Sequence, residues 1–358
     1  MTHDPADLAP RLLDWYDAHR RTMPWREEPT PYHVLLSELM LQQTRVDTVI
    51  PYFERFVARW PTLQDFAAAD EDEVMSMWAG LGYYRRARNL LKAAREAVAR
   101  GGLTGDPASL RELPGIGAYT AGAIASIAFG TQTPVVDGNV ERVLSRLHRD
   151  GSDPTTTKGK RRFWELAEPL VPADRPGDFN QALMELGATV CSPRTPDCAA
   201  CPWSHDCEAH AAGVALEFPK KKPKKKPVPV RGVAGILAFD GGILLAKRPA
   251  GVLLGGLWDP PSAEVDAESD LEGALVTAFR ERLSLDVVVE RRLGDVKHVF
   301  THRRLTRTVF RVGLVGVGEP QALQGYDEVR VHRPGDGLAL SKLALKTLAL
   351  ADDLPLLG

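Results

Sequence analysis

The strongest constraint on the fold is a change in hydrophobic period across a short proline- and lysine-rich segment. This segment, FPKKKPKKKPVPVR, spans residues 218–231 of the 358-residue chain. Proline disrupts helices and sheet ladders, and like charges extend a chain, so the segment is predicted to be an interdomain linker. It is either a solvated spacer or a segment that also lies along DNA phosphates.

The two regions that flank the linker predict different secondary structure. Before it, apolar residues recur every three or four positions, as at Val34, Leu35 and Leu39, which predicts helices with a break at Pro51. After it, GVAGILAFDGGILLAKR predicts a hairpin around Asp240–Gly241, HVFTHRRLTRTVFRVGLVG predicts a second strand pair, and DLEGALVTAFRERLSL predicts one helix. The first region is therefore predicted to be all-α and the second α+β.

Composition narrows the class of protein. The chain has 44% hydrophobic and 26% charged residues, as globular proteins do. It has no stretch of about twenty apolar residues, and its N-terminal sequence does not resemble a secretory signal, so we expect a cytoplasmic protein without membrane contacts. The net charge of −2 does not bear on nucleic-acid binding, whereas the basic clusters YYRRARNLLK and KGKRR are candidates for phosphate contacts.

All four cysteines lie in one string, CSPRTPDCAACPWSHDC, at residues 191–207. In a reducing compartment they are expected to be metal ligands rather than disulfide partners. Structural zinc sites usually present two short pairs separated by a long spacer, whereas this string has one close pair and two outlying cysteines. The spacing favours a [4Fe–4S] cluster, with zinc as the alternative, and the ligands would be Cys191, Cys198, Cys201 and Cys207.

The string LPGIGAYTAG, at residues 113–122, predicts a tight turn followed by a helix. Gly115 and Gly117 would allow backbone N–H groups to point at an anion beside the helix N-terminus. With the preceding helix, the string predicts a helix–hairpin–helix, which binds a DNA phosphate without reading sequence.

Two carboxylates are candidates for acid–base chemistry. Glu38 shares a helix stripe with Gln42 and Arg45, which is an ordinary wet face unless it lines a cleft. In a cleft, desolvation would raise the pKa of Glu38 and make it a proton donor near neutral pH. Asp137, in PVVDGNV, lies where an extended segment meets a helix and by itself is typical of an N-cap.

The order of six motifs resembles a known family. The strings are LSELMLQQTRV, GLGYYRRARNL, LPGIGAYTAGAI, VVDGNVERVLSRL, FNQALMELGATVC and the cysteine string. They occur in the order found in the helix–hairpin–helix DNA glycosylases that have an iron–sulfur loop, and within them the chain resembles the adenine DNA glycosylases of the MutY type over essentially its whole length. The resemblance implies that this chain removes adenine mispaired with 8-oxoguanine or guanine in double-stranded DNA.

The resemblance also implies a domain organisation. An all-α helix–hairpin–helix glycosylase core with a [4Fe–4S] loop would occupy residues 1–217, with a six-helix part at about 24–133 and an iron–sulfur part formed by about 1–23 and 134–217. The basic linker at 218–231 would join it to an α+β Nudix-like 8-oxoguanine recognition domain at 232–358. We expect a nucleoid-associated monomer of a bacterial-type cytoplasm, with the linker as a candidate site for a repair or replication partner such as a clamp.

The resemblance assigns catalytic roles residue by residue. Glu38 would protonate the adenine ring as the general acid. Asp137, with Asn139 beside it, would stabilise or trap the positive charge that grows on the sugar. Tyr119 stands where the endonuclease III-like members have a lysine that forms a Schiff base, so its phenol implies a monofunctional glycosylase that leaves an abasic site.

The resemblance further assigns contacts to the two bases of the mispair. Arg26 and Gln181 would lie near the flipped adenine. The 8-oxoguanine side would be contacted by Gln43, Thr44 and Tyr83, with Tyr83 either a wedge in the base stack or an ordinary core aromatic. In the second domain, the FTH loop of Phe300, Thr301 and His302 would reach the 8-oxoguanine, and the Thr301 hydroxyl can both donate and accept.

The sequence is also compatible with other activities. The chain resembles Nudix hydrolases in its second domain, but the glutamate-rich box that holds Mg²⁺ in those enzymes is reduced to Glu281 in FRERLSL, which argues against nucleotide hydrolysis. A thymine or uracil mismatch glycosylase, a bifunctional glycosylase/lyase and a non-catalytic damage sensor are further candidates. The presence of both Glu38 and Asp137 argues against the sensor.

Overall fold

The computed structural model describes residues 5–220, 227–266 and 268–351, and it divides into two compact units. The first unit takes Met1–Ala69 with Arg85–Pro223, and the second takes Asp70–Tyr84 with Lys224–Gly358. The segment 70–84, which was predicted to belong to the first domain, is thus grouped with the second unit. Of the predicted linker, residues 221–226 lie outside the described residues. No helix in the described part of the chain is long and apolar enough to span a membrane.

The described part of the first unit is helical and contains no strand. Its helices, together with α6 of the second unit, run in chain order as α1 Pro5–His19, α2 Pro24–Glu27, α3 Pro31–Leu41, α4 Val46–Arg59, α5 Leu63–Ala67, α6 Glu71–Met77, α7 Arg85–Ala99, α8 Pro107–Arg111, α9 Ala118–Ala123, α10 Gly138–Leu147, α11 Thr157–Ala167, α12 Pro176–Thr189 and α13 Glu208–Ala211. A π-helical turn, Ile124–Ala128, follows α9 directly, and short 3₁₀ turns lie at Glu168–Leu170 and Ala215–Glu217.

The predicted helix break at Pro51 is wrong. Pro51 lies inside α4, and the chain instead leaves the helix between Leu41 and Val46, where Gln43 has a φ of 62°. That left-handed conformation cannot continue a right-handed helix. Pro51 removes one intrahelical hydrogen bond, to the carbonyl of Asp47, but both residues are exposed and water can satisfy that carbonyl.

A hydrophobic core in the first unit joins the N-terminal helix to the helices that follow residue 134. Leu12 of α1, Leu144 of α10, Phe163 of α11 and Phe179 of α12 are at most 1% exposed and belong to one cluster with Trp203. Trp203 follows Cys201 and donates its indole N–H to the Leu8 carbonyl at 2.9 Å. Each fully buried leucine or phenylalanine of this core contributes about 1.5–3 kcal/mol to the free energy of folding.

Close backbone packing fixes α12 against the π-helical turn. A Cβ on Gly177 would stand 2.6 Å from the Ser126 carbonyl oxygen, so glycine permits this approach. The buried side chain of Asn180 donates to the Ser126 hydroxyl and to the Thr133 carbonyl, both at 2.9 Å, and accepts from the Val135 N–H at 3.1 Å. These bonds hold the extended segment that leads to Asp137.

The described part of the second unit contains a seven-stranded mixed sheet. The path of the sheet is β3-β2-β1-β6-β5, β4 pairs with β1, and β7 pairs with β2; β1 and β6 are parallel, and the other pairs are antiparallel. The strands are β1 Val228–Phe239, β2 Gly242–Lys247, β3 Trp258–Asp259, β4 Ser262–Val265, β5 Val287–Val299, β6 Arg303–Leu314 and β7 Glu328–His332. Helices α14 Leu271–Leu283 and α15 Lys342–Leu348 complete the elements used below.

The two predicted strand pairs are confirmed. Asp240 and Gly241 both have positive φ, 43° and 70°, as a two-residue hairpin turn between β1 and β2 requires. However, β1 begins at Val228, so the last residues of the predicted linker belong to a strand. At Pro229 the strand pairs only with β6, since the β4 pairing starts at Arg231, and proline is tolerated where one edge is unpaired.

The core of the second unit lies between α14 and the sheet. Phe279 and Leu275 of α14 are fully buried against Val233 of β1 and Phe310 of β6. The helix approaches β1 so closely that a Cβ on Gly235 would stand 2.6 Å from the Phe279 ring. Glycine at this strand position therefore permits the helix-to-sheet packing.

Candidate active site and cysteine loop

Glu38 lies on α3 with its side chain almost completely buried, at 6% exposure. Its Oε2 atom has no hydrogen-bond partner among the described residues. Burial is the main reason that the pKa of Glu38 is raised to about 7; the Tyr119 hydroxyl opposes this shift and the charge of Asp137 adds to it. A carboxyl group of this kind holds its proton in a large fraction of molecules at neutral pH, so it can act as an acid.

Asp137 is the N-cap of α10, as its sequence context indicated. Its Oδ1 accepts from the backbone N–H groups of Asn139 at 2.9 Å and Val140 at 2.8 Å, and its Oδ2 accepts from the Asn139 side-chain amide at 2.9 Å. Burial raises the pKa of Asp137, and the hydrogen bonds from Val140 and Asn139 oppose that rise because they favour the ionised form. The same side chain is close enough to Glu38 to act on it electrostatically.

Tyr119 is the second residue of α9 and is half-buried. Its hydroxyl donates to the Met184 sulfur at 3.4 Å. Burial, followed by the negative charges of Glu38 and Asp137, raises the pKa of the phenol well above its ordinary value. The structure therefore brings Glu38, Asp137 and Tyr119 together from three separate segments.

Arg26 and Gln181, which were predicted to lie near one base, are hydrogen-bonded to each other. The Nε of Arg26 donates to the Gln181 side-chain oxygen at 3.0 Å, and its Nη2 donates to Glu185 at 3.0 Å. Burial would raise the pKa of Glu185, but Arg21 and Arg26 outweigh it and hold that pKa below its usual value. Glu185 was not predicted from the sequence, although its spacing of four from Gln181 places both on one face of α12.

Gln43 and Thr44 lie in the turn that follows α3. Gln43 is exposed, and the Thr44 hydroxyl accepts from the Nη2 of Arg86 at 3.1 Å. The buried guanidinium of Arg86 also donates to the Leu39 and Met40 carbonyls, both at 2.8 Å, which satisfies acceptors that a helix C-terminus leaves unbonded. Arg86 was not predicted because its role depends on a contact between α7 and α3.

The two hairpin glycines have different environments. Gly115 has a φ of 78°, and a Cβ there would stand 2.6 Å from the Asn89 side chain. Gly117 precedes α9 in extended backbone, and a Cβ at that position would meet no atom within 4 Å among the described residues. Both are exposed, and they lie between α8 and α9 as a helix–hairpin–helix requires.

Tyr83 and the FTH loop both belong to the second unit. Tyr83 is 53% exposed with a φ of 49°, so it is not a core aromatic. Phe300, Thr301 and His302 form the turn between β5 and β6, closed by the Phe300 N–H donating to the Arg303 carbonyl at 2.7 Å. The Tyr83 and Thr301 hydroxyls stand 3.5 Å apart. The exposed side chains of Tyr83, Thr301 and His302 therefore share one surface of this unit.

The four cysteine side chains lie close enough to influence one another. Burial, assisted by the other three cysteines, raises the pKa of Cys201 to about 12, and burial likewise raises the pKa values of Cys198 and Cys207. A thiol with such a pKa loses its proton when it binds a metal. The described residues include no group of three or more His, Cys, Asp or Glu side chains arranged around a single metal ion.

Two arginines of α10 contact the cysteine loop, and neither was predicted from the sequence. The Nη1 of Arg146, which is 2% exposed, donates to the Cys191 sulfur at 3.2 Å. The Nε of Arg142 donates to the Cys191 carbonyl at 2.7 Å, and its Nη2 donates to the Asn139 side chain at 2.9 Å. Arg146 therefore places a buried positive charge within hydrogen-bonding distance of one of the four sulfur atoms.

Comparison with known proteins identifies the families to which the two units are similar. Residues 36–169 match the model of the HhH-GPD superfamily base excision DNA repair proteins, and residues 232–350 match a NUDIX domain. A solved thermostable thymine-DNA glycosylase superposes with a TM-score of 0.54 at 30% identity, covering 58% of this chain and 97% of that one. The helical unit therefore belongs to the base excision DNA repair glycosylases.

Relatives of known function narrow the class of glycosylase. The adenine DNA glycosylase of Arabidopsis thaliana is 41% identical over 345 residues, which are 82% of this chain and 55% of that protein. That of Rattus norvegicus is 39% identical over 362 residues, which are 85% of this chain and 70% of that protein. The chain belongs to the adenine DNA glycosylase family.

Proposed function

We propose that this chain removes adenine mispaired with 8-oxoguanine or guanine from double-stranded DNA and leaves an abasic site. The observation that carries the proposal is the pairing of Glu38, buried and with a pKa of about 7, with Asp137, whose carboxylate accepts three hydrogen bonds. Cleavage of an N-glycosyl bond needs one carboxylic acid for the leaving group and one carboxylate for the sugar. Two carboxyl groups in different environments meet that need.

The reaction divides between the two groups. Adenine is a poor leaving group until its ring is protonated, and Glu38 would donate that proton. As the bond to the sugar breaks, positive charge grows on the anomeric carbon, and Asp137 would stabilise or trap it. Asn139 would hold the Asp137 carboxylate in place through its side-chain amide, which donates to Oδ2.

Tyr119 supports a monofunctional reaction. A lyase reaction through a Schiff base needs an amine, and Tyr119 offers a phenol that is neutral at physiological pH. Borohydride reduction during turnover is therefore expected to trap no covalent protein–DNA product. A strong covalent product would favour a bifunctional glycosylase/lyase.

The remaining site residues would bind the DNA. The Arg26–Gln181 pair would contact the flipped adenine. Gln43, Thr44, Tyr83 and the FTH loop would contact the 8-oxoguanine side. The exposed backbone at Gly115 and Gly117 would bind a phosphate.

We propose that Cys191, Cys198, Cys201 and Cys207 hold a [4Fe–4S] cluster. When bound, the cluster would supply a rigid cross-link that closes the loop, and the chemistry would remain with Glu38 and Asp137. Arg146 would stabilise the negative charge of the ligated sulfurs. An iron–sulfur cluster gives a broad visible absorption that zinc does not, so a spectrum of freshly purified protein distinguishes the two.

A thymine mismatch glycosylase is the second candidate, because the superposed structure is that of a thymine-DNA glycosylase. The deciding experiment uses duplexes that contain 8-oxoguanine:adenine, guanine:adenine or guanine:thymine, with alkali cleavage to reveal abasic sites. We expect strand cleavage after alkali for the two adenine mispairs only. Release of thymine without release of adenine, or full activity of Glu38→Gln, would refute the proposal. The monomeric state, the nucleoid location and a linker partner stay predictions.

A further inference from the structure

The turn between α3 and α4 has a strained backbone. Helix α3 ends at Leu41, α4 begins at Val46, and Gln43 between them has a φ of 62°. Residues other than glycine seldom adopt this left-handed conformation, because their Cβ then crowds the following carbonyl oxygen. Such a conformation persists where the surrounding structure fixes it. The contacts that fix this turn therefore determine where Gln43 is placed.

The side chain of Arg86, on α7, makes contacts on both sides of Gln43. Arg86 is buried, at 8% exposure. Its Nη1 donates to two carbonyl oxygens in the last turn of α3, both at 2.8 Å, and to the Gln42 carbonyl oxygen. Its Nη2 donates to the Thr44 hydroxyl at 3.1 Å. One guanidinium group thus holds both chain neighbours of Gln43.

These contacts require the geometry of a guanidinium group. Its nitrogens form a rigid planar fork, so Nη1 and Nη2 can donate to acceptors at two separate positions. A lysine side chain has a single terminal nitrogen and cannot occupy both positions at once. Arg86→Lys would therefore keep the positive charge and lose some of the hydrogen bonds that fix the turn.

The side chain that this turn exposes is Gln43. Its amide carries two donors and one acceptor, which suits the polar edge of a nucleobase. A turn that is already fixed lowers the free energy needed to order this side chain when DNA binds, because the backbone does not have to rearrange. The hydrogen bonds of Arg86 therefore bear on how well Gln43 can contact a base.

We propose that Arg86 is a positioning residue that acts through Gln43. By holding Gln42 and Thr44, it fixes the left-handed turn and directs the Gln43 amide toward the base opposite the excised adenine. The inference rests on the proposed function, in which Gln43 contacts the 8-oxoguanine side of the mispair. It adds the residue that gives this contact its geometry.

Arg95 provides the matched control, because it makes the same kind of bond elsewhere on α7. Its Nε donates to the Ala67 carbonyl at 3.0 Å and its Nη2 to the Ala69 carbonyl at 2.8 Å, at and just after the end of α5. Neither bond involves the turn that contains Gln43. If the arginines of α7 serve only to stabilise helix ends, Arg95→Lys and Arg86→Lys should have the same consequences.

The test is a double-mutant cycle in the full-length protein. It compares the wild-type protein with Arg86→Lys, Gln43→Ala and the double variant, and Arg95→Lys replaces Arg86→Lys in the control cycle. Gln43→Ala removes the amide but keeps a Cβ in the turn. The second-order rate constant of adenine release is measured for 8-oxoguanine:adenine and guanine:adenine duplexes, and the ratio of the two constants is the preference for the lesion. Urea unfolding reports whether each variant is folded.

We expect Arg86→Lys to lower the preference for the lesion by about 2- to 13-fold, which corresponds to the loss of one hydrogen bond. Gln43→Ala should lower it by a similar factor. The double variant should be no worse than Gln43→Ala, because Arg86 then has no amide to position. Arg95→Lys should leave the preference unchanged in either background. A purely structural role of Arg86 would not produce this dependence on the side chain at position 43.

If Arg86→Lys does not fold, Thr44→Val takes its place in the cycle, because it removes only the hydroxyl that accepts from Nη2. The proposal is overturned if Gln43→Ala leaves the preference unchanged, or if Arg86→Lys has no more effect on it than Arg95→Lys. It is also overturned if the effect of Arg86→Lys, or of Thr44→Val in its place, persists in full when residue 43 is alanine. Absence of adenine release by the wild-type protein from either duplex would instead overturn the proposed function, and this inference with it.

Discussion

Replacement of Glu38 by glutamine should make the protein more stable at high pH while it lowers the rate of adenine release. The folded-state pKa of Glu38 is about 7, against an ordinary value of 4.5. That difference corresponds to about 3 kcal/mol, the free energy needed to ionise this carboxyl in its buried position. Glutamine has a similar shape and does not ionise, so Glu38→Gln avoids this cost.

The sign of the pH dependence follows from the raised pKa. A carboxyl group whose folded pKa exceeds its unfolded pKa contributes stability below the unfolded value, and this contribution is lost as the pH rises through the folded value. The wild-type protein should therefore lose stability relative to Glu38→Gln between pH 4.5 and about 7, after which the difference stays constant. Urea unfolding followed by far-ultraviolet circular dichroism, which reports mainly the helices of the first unit, measures this difference.

Glu185→Gln is the matched control, and its change in stability relative to the wild-type protein should have the opposite sign. Glu185 is also buried on a helix of the first unit, but its pKa is lowered because Arg21 and Arg26 outweigh burial. Its contribution is present above the unfolded pKa and is lost as the pH falls, so Glu185→Gln should destabilise the protein most at neutral pH. A difference between Glu38→Gln and wild type that did not change with pH would refute the assignment of a raised pKa.

The activity of Glu38→Gln tests the role of the proton on Glu38. General acid catalysis contributes about 10²–10⁴-fold, so single-turnover adenine release by Glu38→Gln should fall by at least about 100-fold. In the wild-type protein the rate should decrease as the pH rises above about 7, because Glu38 then loses the proton that it donates. A rate that rose through this range would contradict the acid role.

Three further predictions concern the hairpin, the FTH loop and the cysteine loop. Gly115→Ala should lower stability by about 1 kcal/mol or more and weaken duplex binding, because its left-handed φ and the Asn89 side chain exclude a Cβ, whereas Gly117→Ala should leave chemical unfolding nearly unchanged. Thr301→Ala should reduce the preference for 8-oxoguanine:adenine over guanine:adenine by about 2- to 13-fold in single-turnover rates, which is the loss of one hydrogen bond. Cys198→Ser should lower iron content, folding stability and DNA affinity more than the excision rate of bound enzyme, and a stable, tightly binding but inactive variant would contradict this.

Local sequence was sufficient for most secondary structure because the signals involved are local. The Asp240–Gly241 turn and the alternation on either side of it predicted the β1–β2 hairpin. The helix break predicted at Pro51 was wrong because a proline in a sequence shows only that its own backbone N–H donor is missing. Whether a helix can tolerate that loss depends on the solvent exposure of the acceptor, which is a property of the folded protein.

The order of motifs predicted the candidate site residues, but not how the environments of these residues differ. Glu38 and Asp137 are both carboxyl groups next to apolar residues in sequence. Only the packing of α3 leaves Glu38 with an unpartnered oxygen, and only the N-terminus of α10 supplies Asp137 with three donors. Burial raises both pKa values, and for Asp137 the hydrogen bonds from Val140 and Asn139 oppose that rise.

The sequence by itself determined the all-α and α+β regions, the hairpin glycines, the two carboxyl groups and the clustering of cysteines, since each depends on residue type and short spacing. The tertiary structure decided the contacts of Glu185 with Arg26, of Arg86 with the end of α3, and of Arg146 with Cys191. It also decided which side chains line a cavity beside β1, β4 and β6, since these come from strands, loops and two helices that are far apart in the chain. Such contacts join residues that no local pattern relates, because burial and charge pairing are set by what the fold places around each side chain.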